Sequence, residues 1–352
     1  MSEKKMRYIS YVICVICVSW YFVGCQKAKK EVEFQYFNQA QFEKFLRLDS
    51  HERRTFVMRS DNNADKSALK AYAYIYHSPH LMLDLAYMDN GVFVRNRYEI
   101  DKVGFAKDKG ILKLKIKAQD GDWLIFSQDR DLPLNEVRSF FASFYNKNDS
   151  SNTQYHKVLV RSQIVCTEKL KKQVCDKINR ALGANEDKAT LLHSLAQEVA
   201  KDYDKSITWN IQDIHDQSVV YIDDKIIVLS DSIREYNGGA HGSTLLKMQA
   251  FDIHNAQSLP QNASTLFREG SLSQVRTLLV SELEKHYSKD TFFEFEEIDI
   301  PEVFFVSDEG IVFVWQEYDI APYSAGIIKV SLPFSALKPY VQTHSPYGYL
   351  FE

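Results

Sequence analysis

The residues best suited to touch a ligand sit in two short stretches. In Gly238-Gly239-Ala240-His241-Gly242, three glycines in five residues let the backbone approach a ligand closely, with His241 and Tyr236 beside it. The second stretch, Tyr318 to Tyr323, offers two tyrosines of the kind enriched at interfaces. Each has a plainer alternative. The first can be a tight turn whose histidine packs structurally. The second can be a bulged strand, because Pro322 lacks an N–H and interrupts a ladder. Tyr236, Gly238, Gly239, His241, Tyr318 and Tyr323 are the candidate ligand contacts.

An enzyme would draw on Glu235, His241, His215, His254 or Asp231, as acid and base or around a metal. No H-E-x-x-H pair, G-x-S-x-G elbow, P-loop or dinucleotide glycine pattern occurs. His77 and His80 flank Pro79, which places them in a loop. Ten histidines lie scattered. No catalytic residue, metal ligand or cofactor is expected.

The 352 residues are 45% hydrophobic and 26% charged, an ordinary globular composition with enough length for two cores. A net charge of −4 and the absence of a basic stripe exclude nucleic acid as an expected partner. The start is different. Lys4, Lys5 and Arg7 precede an uncharged run from Tyr8 to Val23, and Gly24-Cys25 closes it. That run is shorter than the roughly 20 residues a membrane span needs, which favours a cleaved secretory leader over a transmembrane anchor. Five cysteines are present. Cys14 and Cys17 would leave with the leader and Cys25 stands at its end, so Cys166 and Cys175 remain as a possible disulfide. A helix over Thr167–Leu182 would place them ~13 Å apart, beyond the ~7 Å a bridge allows, so they are expected to be buried thiols. A later helix start would permit the bridge.

The body shows mixed elements, giving an expected α+β class of antiparallel sheets with a few packing helices in two domains. Strand-like stretches are Leu81–Met88, Val92–Tyr98, Ile111–Lys117, Trp123–Phe126, Lys157–Val165, Ser218–Ile222, Lys225–Leu229, Leu245–Ile253, Val303–Val306, Ile311–Trp315 and Ile327–Leu332. Asp120-Gly121 is a hairpin signal. Helices are expected at Asn135–Tyr145, from Val137, Phe140, Phe141 and Phe144 on one face, at Thr167–Leu182 ended by Gly183, at Asp187–Tyr203, and at Ser271–Tyr287 with a Ser271/Gln274 capping box. The polar run Asn146–Thr153 is the best linker. The expected division is a leader at 1–25, a β-rich α+β domain of unknown role at 26–150, and a second α+β domain at 151–352.

Two resemblances add to this. Phe22-Val23-Gly24-Cys25 resembles the lipobox of bacterial lipoproteins, although Phe22 departs from the usual leucine. The resemblance implies a Cys25 joined to diacylglycerol and further acylated, holding the protein to the membrane, with the periplasmic side preferred because no acidic export run follows. Tyr236-Asn237-Gly238-Gly239-Ala240-His241, Tyr318 to Gly326 (YDIAPYSAG) and Leu332-Pro333-Phe334-Ser335-Ala336-Leu337 together resemble the extracytoplasmic domain of RsiV-like anti-sigma factors, over residues of about 155–342. That resemblance implies a binding module; the anti-sigma members sense lysozyme with it. No sigma-binding segment is expected ahead of the leader, and no deacetylase domain is expected after Glu352. The expectation is a noncatalytic, membrane-anchored binding or sensing protein of the cell envelope whose ligand is a lysozyme-like protein or peptidoglycan. The rivals are a cell-wall hydrolase or deacetylase-type enzyme, and a structural subunit of an envelope assembly.

Overall fold

The structure, a computed structural model, describes residues 32–61, 69–77, 80–89, 92–117, 123–148, 153–201, 203 and 209–352. The leader, Cys25, the Asp120-Gly121 turn and Ser78-Pro79 lie outside the described residues. The chain divides into Met1–Phe34 and Gln35–Glu352, and the second unit is described below. No helix among the described residues is long and apolar enough to cross a membrane.

The class is α+β. Fourteen strands form one branched sheet: β1 (Gln35–Tyr36), β2 (Glu52–Ser60), β3 (Lys70–His77), β4 (Leu81–Asp89), β5 (Val92–Glu99), β6 (Gly104–Asp108), β7 (Ile111–Lys117), β8 (Trp123–Gln128), β9 (Glu136–Asn148), β10 (Thr153–Ile164), β11 (Ile211–Ile222), β12 (Ile226–Tyr236), β13 (Ser243–Asp252) and β14 (Ser258–Leu259). The main path runs β1-β6-β7-β8-β2-β9-β10-β11-β12-β13-β14, and β3 to β5 branch from β2. A smaller antiparallel sheet holds β15 (Val303–Val306), β16 (Gly310–Trp315) and β17 (Ile328–Pro333). Six α-helices accompany them among the described residues: α1 (Gln39–Leu46), α2 (Lys172–Ala181), α3 (Lys188–Lys201), α4 (Ala263–Leu266), α5 (Leu272–His286) and α6 (Phe334–Leu337).

The β12 run Ile226-Ile227-Val228-Leu229 shows why the chain folds this way. Alternate strand residues point to opposite faces, so an unbroken apolar run needs cover on both. Ile227 and Leu229 join a core with Leu191, Leu195 and Val199 of α3, while Ile226 and Val228 join a core with Val275, Leu279 and Leu283 of α5 and Phe304 and Phe313 of the small sheet. A third core gathers Phe42 and Leu46 of α1 with the inner faces of β2 to β8. The first strands are tied to the later ones: Tyr74 Oη donates to the Val219 carbonyl at 2.9 Å, and the Arg53 guanidinium meets Asp216 at 2.9 Å.

Three sequence expectations are corrected. Asn135–Tyr145 is not a helix but β9, paired along its length with β10. Phe140, Ala142 and Phe144 also satisfy a two-residue period, and pairing across the sheet decided between the two. Of the expected linker Asn146–Thr153, Asn146–Asn148 belong to β9 and Thr153 to β10, and residues 149–152 lie outside the described residues. Cys166 and Cys175 are bridged, with Cα atoms 5.9 Å apart. The bridge fits because α2 starts at Lys172 rather than Thr167, leaving Cys175 in its first turn while the chain after β10 curls back. The Ser271/Gln274 capping box is absent. Ser271 Oγ donates instead to the carbonyl of Arg268 at 2.7 Å, although the helix that follows is present.

Tyr347 is fully buried, edge-on to Phe304 at 5.5 Å, and its hydroxyl has no hydrogen-bond partner among the described residues. A buried unpaired hydroxyl costs about 1–3 kcal/mol. Tyr347→Phe is therefore expected to leave stability unchanged or raise it by about 1 kcal/mol in urea melts. A clear loss would mean that the hydroxyl is hydrogen-bonded.

Candidate ligand-binding site

The tip of the β12–β13 hairpin carries the glycine stretch. Glu235 pairs with Ser243, so residues 236–242 make the turn, and Gly238 (φ 86°) and Gly239 (φ 95°) hold backbone conformations that side-chain-bearing residues rarely adopt. Tyr236 Oη donates to the Gly239 carbonyl at 3.0 Å, which pins the turn from one side. A Cβ at Gly238 would stand 3.2 Å from Trp209 Cδ1, so the missing side chain is the space against which the Trp209 ring lies.

His241 projects toward the loop after β16. Its Nδ1 lies 2.7 Å from the Gly242 carbonyl, so Nδ1 carries a proton. In the neutral ring Nε2 is then an acceptor, and Tyr318 Oη donates to it at 2.9 Å. The Tyr323 ring stacks on the imidazole with centroids 3.8 Å apart and planes 16° from parallel. Tyr318, at φ 70°, occupies a left-handed conformation and remains 52% exposed; Trp209 is 50% exposed. Trp209 lies against Gly238 and Tyr318 against His241, so the same hairpin tip carries two half-exposed rings, and clustered exposed aromatic area marks interaction surfaces.

The two loops are held in register by side chains acting as backbone. The Gln316 amide accepts from Leu246 N–H and donates to the Leu246 carbonyl, both at 2.9 Å, and Glu317 accepts from Thr244 N–H at 2.8 Å. Those groups lie on the outer edge of β13, which β14 reaches only at Ala250 and Phe251. Gln316 thus supplies the two hydrogen bonds a further strand would make, and blunts the edge.

The structure brings His241, Tyr318 and Tyr323 into contact and sets Tyr236, Gly238 and Gly239 in the turn beneath them. Trp209 was not singled out from sequence, since it stands two residues before β11 with no motif around it. Of the residues an enzyme would draw on, His215 and Glu235 come together on the opposite face of β11 and β12, joined by Asp213. Asp231 pairs with Gln217, farther along β12, and His254 donates its N–H to Asp252 in the turn after β13.

A family model described as "Protein of unknown function (DUF3298)" matches residues 264–335. Residues 264–335 are a DUF3298 domain. The domain spans α5, the small sheet and the loop with Tyr318 and Tyr323; the glycine turn and Trp209 lie before it. Among solved structures, the chain is similar to a DUF3298 family member from Bacteroides fragilis, with 17% identity and a TM-score of 0.45 over 61% of this chain and 97% of that one. It is also similar to a DUF3298 family protein from Pseudomonas aeruginosa PAO1, with 13% identity and a TM-score of 0.44 over 60% and 96%. No curated protein matches.

Proposed function

We propose that this chain is an exported, lipid-anchored binding module of the bacterial cell envelope, facing the periplasm, and that the Trp209–His241–Tyr318–Tyr323 surface grips cell-wall glycan. The carrying observation is the half-exposed ring cluster: stacked, hydrogen-bonded side chains already fixed before any ligand arrives. Flat rings suit the apolar faces of sugars, and preorganisation lowers the entropy cost of binding. The Cys166–Cys175 bridge is in keeping with an oxidising compartment. The resemblance to lipoprotein leaders supports the anchor, and the resemblance to RsiV-like domains supports a binding module.

A protein ligand is the second reading. An open cavity of about 610 Å³, reached by Asp319 and Ile320 of the same loop, has an apolar floor that includes Trp315 and an acidic rim of Glu294, Glu297, Asp299 and Glu302 beside the exposed Phe293 ring. Such a rim favours a basic partner.

Sedimentation with purified peptidoglycan and capture on immobilised lysozyme separate the two. The first reading expects binding to peptidoglycan that Tyr318→Ala weakens about tenfold, roughly 1.4 kcal/mol. Tyr318 is exposed enough for its loss to spare the fold. Binding to lysozyme alone would favour the second reading, and binding to neither would overturn both. Labelled palmitate that failed to appear on Cys25 would remove the anchor.

A further inference from the structure

We infer that Asp213, His215 and Glu235 form a binding site for one divalent transition-metal ion of the Zn²⁺ class. Asp213 and His215 are two residues apart on β11, so they share a face, and Glu235 stands directly opposite Asp213 on β12. One ligand atom from each of the three lies within 4.8 Å of the others. Atoms bound to a common Zn²⁺ at about 2.0–2.2 Å sit roughly 3–4.4 Å apart, so a small side-chain adjustment closes the set.

Two details point to a cation rather than to an ordinary ion pair. His215 Nε2 and Asp213 Oδ1 are 3.1 Å apart, yet Asp213 Oδ1 is a buried oxygen with no hydrogen bond among the described residues. The contact has the length of an ion pair but not the alignment of a hydrogen bond, and the same spacing suits two atoms that share one metal ion. The second carboxylate oxygen, Oδ2, is already held by Lys157 Nζ at 3.2 Å, from the neighbouring position on β10. That contact fixes the carboxylate and leaves Oδ1 for the ion, as supporting groups around metal ligands do. Two carboxylates and one imidazole suit Zn²⁺ or Mn²⁺ better than Mg²⁺, which prefers oxygen alone and keeps its waters. Glu235 is exposed, so the remaining coordination positions would be open to solvent. The ion would join β11 to β12 just below the Trp209 and His241 surface, on the other face of the hairpin.

The test uses the untagged full chain, stripped with chelator and then titrated with Zn²⁺ by calorimetry, with bound metal counted after dialysis. Because scattered histidines and carboxylates can also take up zinc, the readout is the difference between wild type and His215→Gln or Glu235→Gln. Glu235→Gln is isosteric, His215→Gln keeps a polar side chain of similar reach, and circular dichroism checks that both fold. The expected result is one equivalent lost in each variant, and a Zn²⁺-dependent rise in melting temperature in the wild type that both variants lack. Mg²⁺ at the same concentration should give no rise. Undiminished zinc binding in either variant would overturn the proposal and leave the three residues as an ion pair with Lys157.

Discussion

Gly310→Ala is expected to destabilise the protein by about 3 kcal/mol or more. The new Cβ would be driven into the Leu332 carbonyl oxygen and would stand 2.8 Å from Leu332 C and 2.9 Å from Pro333 Cα. All three are backbone atoms of β17, so no rotamer change relieves the clash; the strands themselves must part. The damage lands in the core where Phe304, Phe313 and α5 meet the main sheet. Gly270→Ala supplies the control, since nothing lies within 4 Å of its Cβ position. Urea melts should show a lower midpoint with an unchanged slope for Gly310→Ala and little change for Gly270→Ala. Equal midpoints would mean that β16 and β17 are not paired in the register described.

Removing the Cys166–Cys175 bridge should be the next largest loss. The bridge spans nine residues, and closing so short a loop in the unfolded chain contributes about 2–3 kcal/mol. The Cys166→Ala/Cys175→Ala double variant is expected to lose that amount, and reductant should lower the wild-type midpoint while leaving the variant's alone. Alkylation of both thiols in the unreduced folded protein would show that they are not joined.

The miss at this pair has a local cause. The residue before α2 is Lys171, which makes no side-chain capping bond, so nothing in Thr167–Lys172 marks where the helix begins. A start five residues too early turned a bridge into an impossibility. α3 was legible for the opposite reason. Asp187 accepts from the N–H groups of Ala189 and Thr190 at 2.9 and 3.2 Å, and Leu191, Leu195 and Val199 keep the i, i+4 rhythm. β9 was misread because phenylalanines spaced for a helix also alternate, and the deciding information lay in β10, beyond any local window. The ring cluster was partly legible: glycine runs and tyrosines have a visible signature. The grouping of Asp213 with Glu235 was not, since residues 22 positions apart meet only through the pairing of β11 and β12.

Gln316 and Glu317 also separate two tasks that many binding loops combine. The neighbouring Tyr318 is exposed and Tyr323, stacked on His241, is half-buried beside it, while the anchoring is done by an amide and a carboxylate that ligands need never touch. The mount and the fingers are therefore different parts. Exchanging the rings would retune what the loop grips and leave its position intact, so the same bracket can carry many specificities.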